Sequence, residues 1–325
     1  MPVSGTPTSN TITTSYAGVH AGEIIGTALL SGNTIANGGL TVKPNIKYKE
    51  VLTKISIDDI VKDASCDFES TSSIVQTEQV LIPESFDVNL QVCKDSYVSD
   101  WSSAEMGFSE WDVLPKSIGD FMIARIIAKV AAKIENTIWT GDKTVDGEFD
   151  GFETLLASNA AQPAAMEIAG TTLTAGNIQA QMNLVVDQIP NALYADPELR
   201  LYIPLQAYKF YVQSLSGFGT NGAGAAGVNA LGTNQSFDMN TMVFNGVPLF
   251  VCNGMSNNTM VCATKDNLVF GTGLMADTNL VKVLDMSPID LSSNVRFALR
   301  YSAGVQFVFG SEIVTYGIVN AANPA

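Results

Sequence analysis

The sequence predicts an α+β fold. Three observations carry this expectation. One stretch, residues 115–138, has a sustained helical period. Several other stretches, early and late in the 325-residue chain, show the period of two or the short apolar runs of strands. The two kinds do not alternate strictly, as units of a parallel α/β sheet would. No internal repeat of about 20–50 residues is visible either.

Residues 1–40 are rich in Thr, Ser, Gly and Asn, with short apolar islands at Ile24-Ile25 and Ala28-Leu29-Leu30. They read as an extended arm with one short helical turn. Residues 46–93 read as β-rich. Lys54-Ile55-Ser56-Ile57 and Phe86 to Cys93 alternate apolar and polar residues. A polar, acidic stretch from Asp58 to Glu78 separates them, so two strands and a long excursion predict a projecting hairpin.

The helix over 115–138 has Pro115 in its first turn and Asp112 as a candidate cap. Ile123, Ile127, Val130, Ile134 and Ile138 form one apolar stripe. Arg125, Lys129 and Lys133 form a second, basic stripe. It reads as a solvated face, or as a face against an acidic neighbour. Gly141 ends the helix.

Residues 174–189 predict a second amphipathic helix, stopped by Pro190. Leu199 to Ile203 reads as a short buried strand, and Pro204 opens a third helix, Leu205 to Leu215. Residues 217–234, GFGTNGAGAAGVNALGTN, form a Gly/Ala loop. Strands follow at Val247 to Cys252, Thr259 to Ala263, Leu268 to Phe270, Leu280 to Leu284, Val295 to Tyr301 and Val305 to Phe309.

Composition narrows the function. The formal net charge is −15 and the pI about 4.3. A chain this acidic repels phosphate, which argues against a general nucleic-acid binder. Charged residues are 15% of the chain, against about 25% in typical soluble domains. Either neighbouring subunits cover much of the surface, or the surface is carried by Ser, Thr and Asn.

One histidine, His20, leaves no two-histidine metal motif and no G-x-S-x-G elbow to build a triad around. It reads as non-catalytic. Cys66, Cys93, Cys252 and Cys262 form no C-x-x-C pair. Cys252 and Cys262 read as buried thiols, with a disulfide between them open only if their two strands pair. No signal peptide and no membrane span are evident, and a reducing compartment is favoured.

GFGTNG, residues 217–222, matches a dinucleotide motif in letters only, because a helix precedes it and no helix follows. Asp142 to Glu153, DKTVDGEFDGFE, has the spacing of a calcium loop. Asp142 stands at position one, Asp146 at five, Gly147 at six, Asp150 at nine and Glu153 at twelve. Thr144 at position three is a weak ligand, and no second loop pairs with this one. The favoured reading is a structural turn, with calcium as the alternative. Asn257-Asn258-Thr259 and Asn234-Gln235-Ser236 match glycosylation acceptors, which carry no weight without a secretory signal. Asp58-Asp59 and Glu148 to Asp150 read as solvated turns. The census yields no catalytic, cofactor or metal residues.

Several strings, taken in order, carry a resemblance. Tyr97 to Phe108, YVSDWSSAEMGF, leads into the long helix. Ile138 to Leu155, IWTGDKTVDGEFDGFETL, resembles the W-x-G-D-G-T turn after the spine helix of tailed-phage major capsid proteins, with Lys143 where Gly is common. Asp266 to Val283 and Phe297 to Tyr316 resemble their C-terminal part. Residues 46–318 therefore resemble a major capsid protein of the Hong Kong 97-type fold, closest to those of crAss-like phages.

That resemblance implies an N-terminal arm over 1–45 and an extended loop over 46–93 that reaches across a neighbouring subunit. It implies a peripheral domain over 94–169 and 266–325, with its spine helix at 115–140, and an axial domain over 170–265. The implied role is structural, not enzymatic. Copies would form hexamers and pentamers and close an icosahedral shell around double-stranded DNA, with no sequence-specific DNA contact and no membrane. The implied partners are the chain itself and portal, scaffold and decoration proteins. The implied location is the virion, after assembly in the host cytoplasm. An encapsulin-like compartment shell is the nearest alternative, and a calcium-binding surface-layer protein, resting on Asp142 to Glu153, is the next.

Overall fold

The computed structural model describes residues 13–16, 33–57, 61, 63, 74–93, 116–215, 242–273, 281–286, 289, 292 and 294–320. His20, Cys66, Asp58-Asp59, Tyr97 to Phe108, Asp112, Pro115 and the loop 217–234 lie outside them.

The strands, in chain order, are β1 (Thr13–Tyr16), β2 (Thr41–Lys43), β3 (Glu50–Ile57), β4 (Ile74–Leu81), β5 (Glu84–Cys93), β6 (Glu167–Ile168), β7 (Leu199–Pro204), β8 (Val243–Phe244), β9 (Val247–Cys252), β10 (Met260–Thr264), β11 (Leu268–Thr272), β12 (Val281–Asp285), β13 (Asn294–Phe307) and β14 (Val314–Tyr316). The helices are α1 (Asn33–Ala36), α2 (Lys116–Thr140), α3 (Phe152–Leu156), α4 (Ile178–Asp187), α5 (Asn191–Tyr194) and α6 (Leu205–Leu215).

Two six-stranded sheets and a separate hairpin organise these elements. The first sheet runs β1-β12-β13-β11-β2, with β5 also paired to β13. The second runs β6-β14-β10-β7-β9-β8. The hairpin is β3 with β4.

The second sheet is buried on both faces, and alternation sorts its side chains between two cores. Leu201, Ile203, Leu249, Val251, Met260 and Cys262 pack under α4 and α6. Tyr202, Phe250, Cys252, Val261 and Ala263 point the other way, to the core shared with α2 and the first sheet. This is why these strands read as continuous apolar runs rather than as alternation.

The 25 residues of α2 span roughly 37 Å at 1.5 Å per residue. Val130, Ile134 and Ile138 are buried as the stripe predicts, while Ile127 is half-buried. Lys129 and Lys133 are exposed on the other side. The chain leaves the helix at Gly141, whose N–H still donates to Thr137 O at 3.1 Å. Helix α6 and strand β9 occupy the ranges read from the sequence, and β7 runs one residue further, through Pro204.

Three readings need correction. The helix expected over 174–189 covers only Ile178–Asp187. Before it, Asn177 Oδ1 accepts from Thr174 N at 2.7 Å and closes a turn. The two strands expected at Val295 to Tyr301 and Val305 to Phe309 are one 14-residue strand, β13. It passes through Gly304, which pairs with Gly271 of β11. It ends at Phe307 because Asn267 Oδ1 takes the N–H groups of Val308 and Phe309, at 3.0 and 2.6 Å.

The third correction concerns the hairpin. The partner of β3 is β4, which lies partly inside the stretch read as a polar excursion. The Phe86 to Cys93 strand instead joins β13 along ten residue pairs. Gln76-Thr77-Glu78-Gln79 hides β4, since a ribbon standing away from the core has no need of an apolar period there. No helix among the described residues is long and apolar enough to cross a membrane.

Candidate assembly surface and joint

Two features stand out. One is the hairpin. In an antiparallel pair, facing residues share a side of the ribbon. Val51 faces Val80, Thr53 faces Glu78 and Ile55 faces Gln76. Val51, Ile55 and Val80 are exposed, Ile55 at 63%. That side of the ribbon therefore leaves three apolar side chains exposed, with Thr53, Gln76 and Glu78 set among them. An isolated two-stranded ribbon is marginal in water, so this side calls for a cover.

The root of the ribbon is fixed. Leu52 and Leu81 are buried with Ile46 and Val269. A Cβ on Gly271 would lie 2.7 Å from Leu81 Cδ2, so the root seats directly on the backbone of β11. Lys43 Nζ meets Glu50 Oε1, and Lys143 Nζ meets Glu84 Oε1, each at 2.5 Å. Gln306 Nε2 donates to Val80 O at 3.2 Å.

The other feature is a buried joint that the sequence reading missed. Glu135 of α2 is 4% exposed. One oxygen accepts the Thr34 hydroxyl of α1, and the other accepts Thr34 N at 3.0 Å. Trp139 Nε1, one turn along α2, donates to Thr34 Oγ1 at 3.0 Å. A Cβ on Gly254 would stand 2.1 Å from Glu135 O, so the loop backbone lies on the helix backbone. Burial raises the Glu135 pKa, against the lowering by its hydrogen bonds.

Glu153 in the first turn of α3 holds the same loop further along. It accepts from Ser256 N at 2.8 Å, Ser256 Oγ at 2.6 Å and Thr259 Oγ1 at 3.1 Å. Burial raises its pKa as well.

That placement bears on the calcium loop. Glu153, its twelfth position, is committed to residues 256–259. Asp142 Oδ1 accepts Thr144 N and Oγ1, both at 2.8 Å, and these bonds lower its pKa. Asp150 Oδ1 accepts Lys143 N at 2.9 Å. Glu148 meets Lys133, which lowers its pKa, and Oε2 accepts Asp142 N at 3.3 Å. Gly147 has a positive φ of 80°, as a tight turn requires. Among the described residues no three His, Cys, Asp or Glu groups gather as a metal would need. The geometry is that of a self-bonded turn.

The remaining candidates are scattered. Cys252 and Cys262 are buried free thiols on β9 and β10, with β7 between the two strands. Burial lifts the Cys262 thiol to about 12 and Cys252 well above its usual value. Cys93 is a free thiol on β5. Asn258 Oδ1 accepts Leu173 N at 3.0 Å. Lys133 of the basic stripe is paired with Glu148 of its own chain.

No protein-family model matches the sequence, and no curated protein matches it. Solved structures do. A chain of the satellite phage P4 procapsid including the size determination protein superposes with a TM-score of 0.53 at 11% identity, over 91% of this chain and 90% of that one. A chain from the capsid of Myoviridae phage XM1 gives 0.53 at 13% identity, over 88% and 91%. The chain has a phage capsid fold. A chain of Mycobacterium phage Adephagia gives 0.52 at 14% identity, over 90% and 92%. At these identities the capsid fold is what is shared, and it spans nearly the whole of each chain.

Proposed function

We propose that the chain is the subunit of a phage shell, a major capsid protein of the Hong Kong 97 type. The observation that carries this is the near end-to-end match to capsid chains in both directions. The exposed Val51, Ile55 and Val80 of the β3–β4 ribbon support it, because a second copy is the cover a self-assembling shell supplies.

On this reading the ribbon within 46–93 reaches over a neighbour. The unit built on α4, α6 and most of the second sheet, within 170–265, faces the centre of each hexamer and pentamer. The long helix α2 is the spine of the peripheral part. The shell encloses double-stranded DNA of a tailed phage, and a net charge of −15 keeps the wall from holding the genome. Portal, scaffold and decoration proteins are the expected partners. The strings quoted above support a place near crAss-like phages. Assembly takes place in the host cytoplasm, and the product resides in the virion.

Expression of the full chain, alone and with a scaffold from the same genome, tests the reading. Negative-stain microscopy and light scattering should give closed shells, or stable hexamers and pentamers. A monomer that persists at high concentration with scaffold present would overturn it. Shells that package a cellular enzyme instead of DNA would move the assignment to a compartment.

A further inference from the structure

The first sheet turns one face to the core that holds α2. Along β13, Val295, Phe297, Leu299 and Tyr301 are buried in that core, so Arg296, Ala298 and Arg300 lie on the opposite face. The register sets Lys282 of β12 and Asn89 of β5 on either side of Ala298. Arg296 and Arg300 flank Ala298 along β13 itself. Three cations thus surround one small residue, each within about 5–8 Å of it at Cβ. Lys282, Arg296 and Arg300 are all exposed.

The subunit itself uses little of this charge. Arg300 Nε meets Asp87 Oδ1 at 3.1 Å, with both side chains exposed. Arg296 Nε donates to Gln91 Oε1, a neutral amide, at 2.9 Å. Lys282 makes no ion pair with a described residue. Asp87 is the one acid among the described residues on this part of the face. The chain as a whole carries a net charge of −15. A fixed cationic patch on such a chain fits an acidic partner, and identical subunits that repel one another need such local complementarity to meet.

We propose that the patch around Ala298 seats residues 58–69 of a second copy, which rests on the shell reading above. Those residues, DDIVKDASCDFE, hold five carboxylates against one lysine. They follow directly on β3. Its last pair, Ile57 with Ile74, lies about 24 Å along the ribbon from its first, Glu50 with Leu81. A ribbon of that reach delivers the acids away from its own root. The acidic turn Asp142 to Asp150 is a poorer partner, because its carboxylates are already taken. Asp142 accepts from Thr144, Glu148 meets Lys133, and Asp150 accepts Lys143 N. DNA is a poorer partner too. Two unpaired cations, Lys282 and Arg296, neutralise too few phosphates to hold it against a net charge of −15.

Charge exchange on the full chain with its scaffold tests this. Lys282→Glu with Arg296→Glu should lower particle yield by light scattering at least about tenfold and leave the urea midpoint of the subunit unchanged. Asp58→Lys, Asp59→Lys and Asp63→Lys together should lower it likewise. The five substitutions in one chain should restore the yield, because both surfaces are then reversed. Unchanged yield in the Lys282→Glu, Arg296→Glu chain would overturn the seat. So would a loss that the exchange does not restore, or one restored instead by Asp95→Lys with Asp100→Lys. Shells formed in full number with less packaged DNA would assign the patch to DNA. If the unaltered chain forms no shells, the shell reading fails and a synthetic peptide of residues 58–69 decides the seat alone. Titrated onto the subunit, it should shift the amide signals of residues 296–300, and its affinity should fall about tenfold or more between about 0.05 and 0.5 M salt. It should not bind the Lys282→Glu, Arg296→Glu chain. A peptide that leaves residues 296–300 unshifted would overturn the seat.

Discussion

Trp139 Nε1 donates to Thr34 Oγ1 at 3.0 Å, across 105 residues of sequence. The indole is fully buried and lies 5.5 Å, centroid to centroid, from both Phe152 and Tyr202. One side chain thus joins α2, α3, β7 and α1. Trp139→Phe keeps an aromatic ring but loses the N–H and part of the volume. It should cost about 1–3 kcal/mol in urea unfolding followed by circular dichroism. Trp139→Ala should cost about 3–5 kcal/mol. Combined with Thr34→Val, Trp139→Phe should be less than additive, because both remove the same bond.

The turn from Asp142 to Glu153 yields a prediction about metal. The carboxylates of Asp142, Glu148 and Asp150 already accept backbone donors, Asp142 a hydroxyl as well, and Glu153 is turned to the loop at 256–259. Thermal unfolding in millimolar calcium and in excess chelator should therefore agree within about 1 °C. A site filled at a hundred times its Kd would add about 2.7 kcal/mol and raise the Tm by several degrees. Such a rise would restore the calcium reading.

The sequence was most informative where the period matched a buried environment. Ile134 and Ile138 sit on the apolar stripe of α2 and are buried. Gly141 directly follows the last residue of α2, whereas α4 stops at Asp187, short of Pro190, which caps α5. Strand β4 was illegible because Gln76 to Gln79 lie on a ribbon outside the core, where burial imposes no period. Glu135 was illegible for the opposite reason. Its carboxylate is held by Thr34 and its backbone lies against Gly254, neither of which a local pattern brings near residue 135. One local signal existed. Ala131, Glu135 and Trp139 form an i, i+4 row, and a glutamate between two buried apolar residues is a candidate for burial. Ser302 to Gly304 reads locally as a break between two strands, yet β13 runs through it. Its continuous pairing with β5 and β11 overrides that local preference.

The seat of the ribbon predicts a backbone effect. A Cβ on Gly271 would meet Leu81 Cδ2 at 2.7 Å and Ile46 Cδ1 at 2.8 Å. Both are buried apolar side chains of the root, so neither has open space to yield into. Gly271→Ala should cost about 1–3 kcal/mol of stability through overpacking. It should also shift the nuclear magnetic resonance signals of the Leu81 and Ile46 methyl groups. Unchanged stability would mean that the root is looser than these contacts describe.

The ribbon face that carries Val51, Ile55 and Val80 separates folding from assembly. Ile55 is 63% exposed and Val51 42% exposed, so neither contributes much to the fold of the single subunit. Ile55→Glu should change unfolding stability by no more than about 0.5 kcal/mol, as surface substitutions generally do. On the proposed shell reading a neighbour covers the same residue. An unpaired carboxylate buried there would weaken the contact by several kcal/mol at each repeat. Because every subunit carries the defect, particle yield by light scattering should fall at least about tenfold. Thr53→Glu on the same side should act in the same direction, since Thr53 faces Glu78 and a second carboxylate would add like charge to the interface. Lys129→Ala, on the exposed face of α2, serves as the comparison for a substitution away from the ribbon. If Ile55→Glu assembles as well as the unaltered chain, this side of the ribbon is not an interface, and the cover for its apolar residues must be sought on another element.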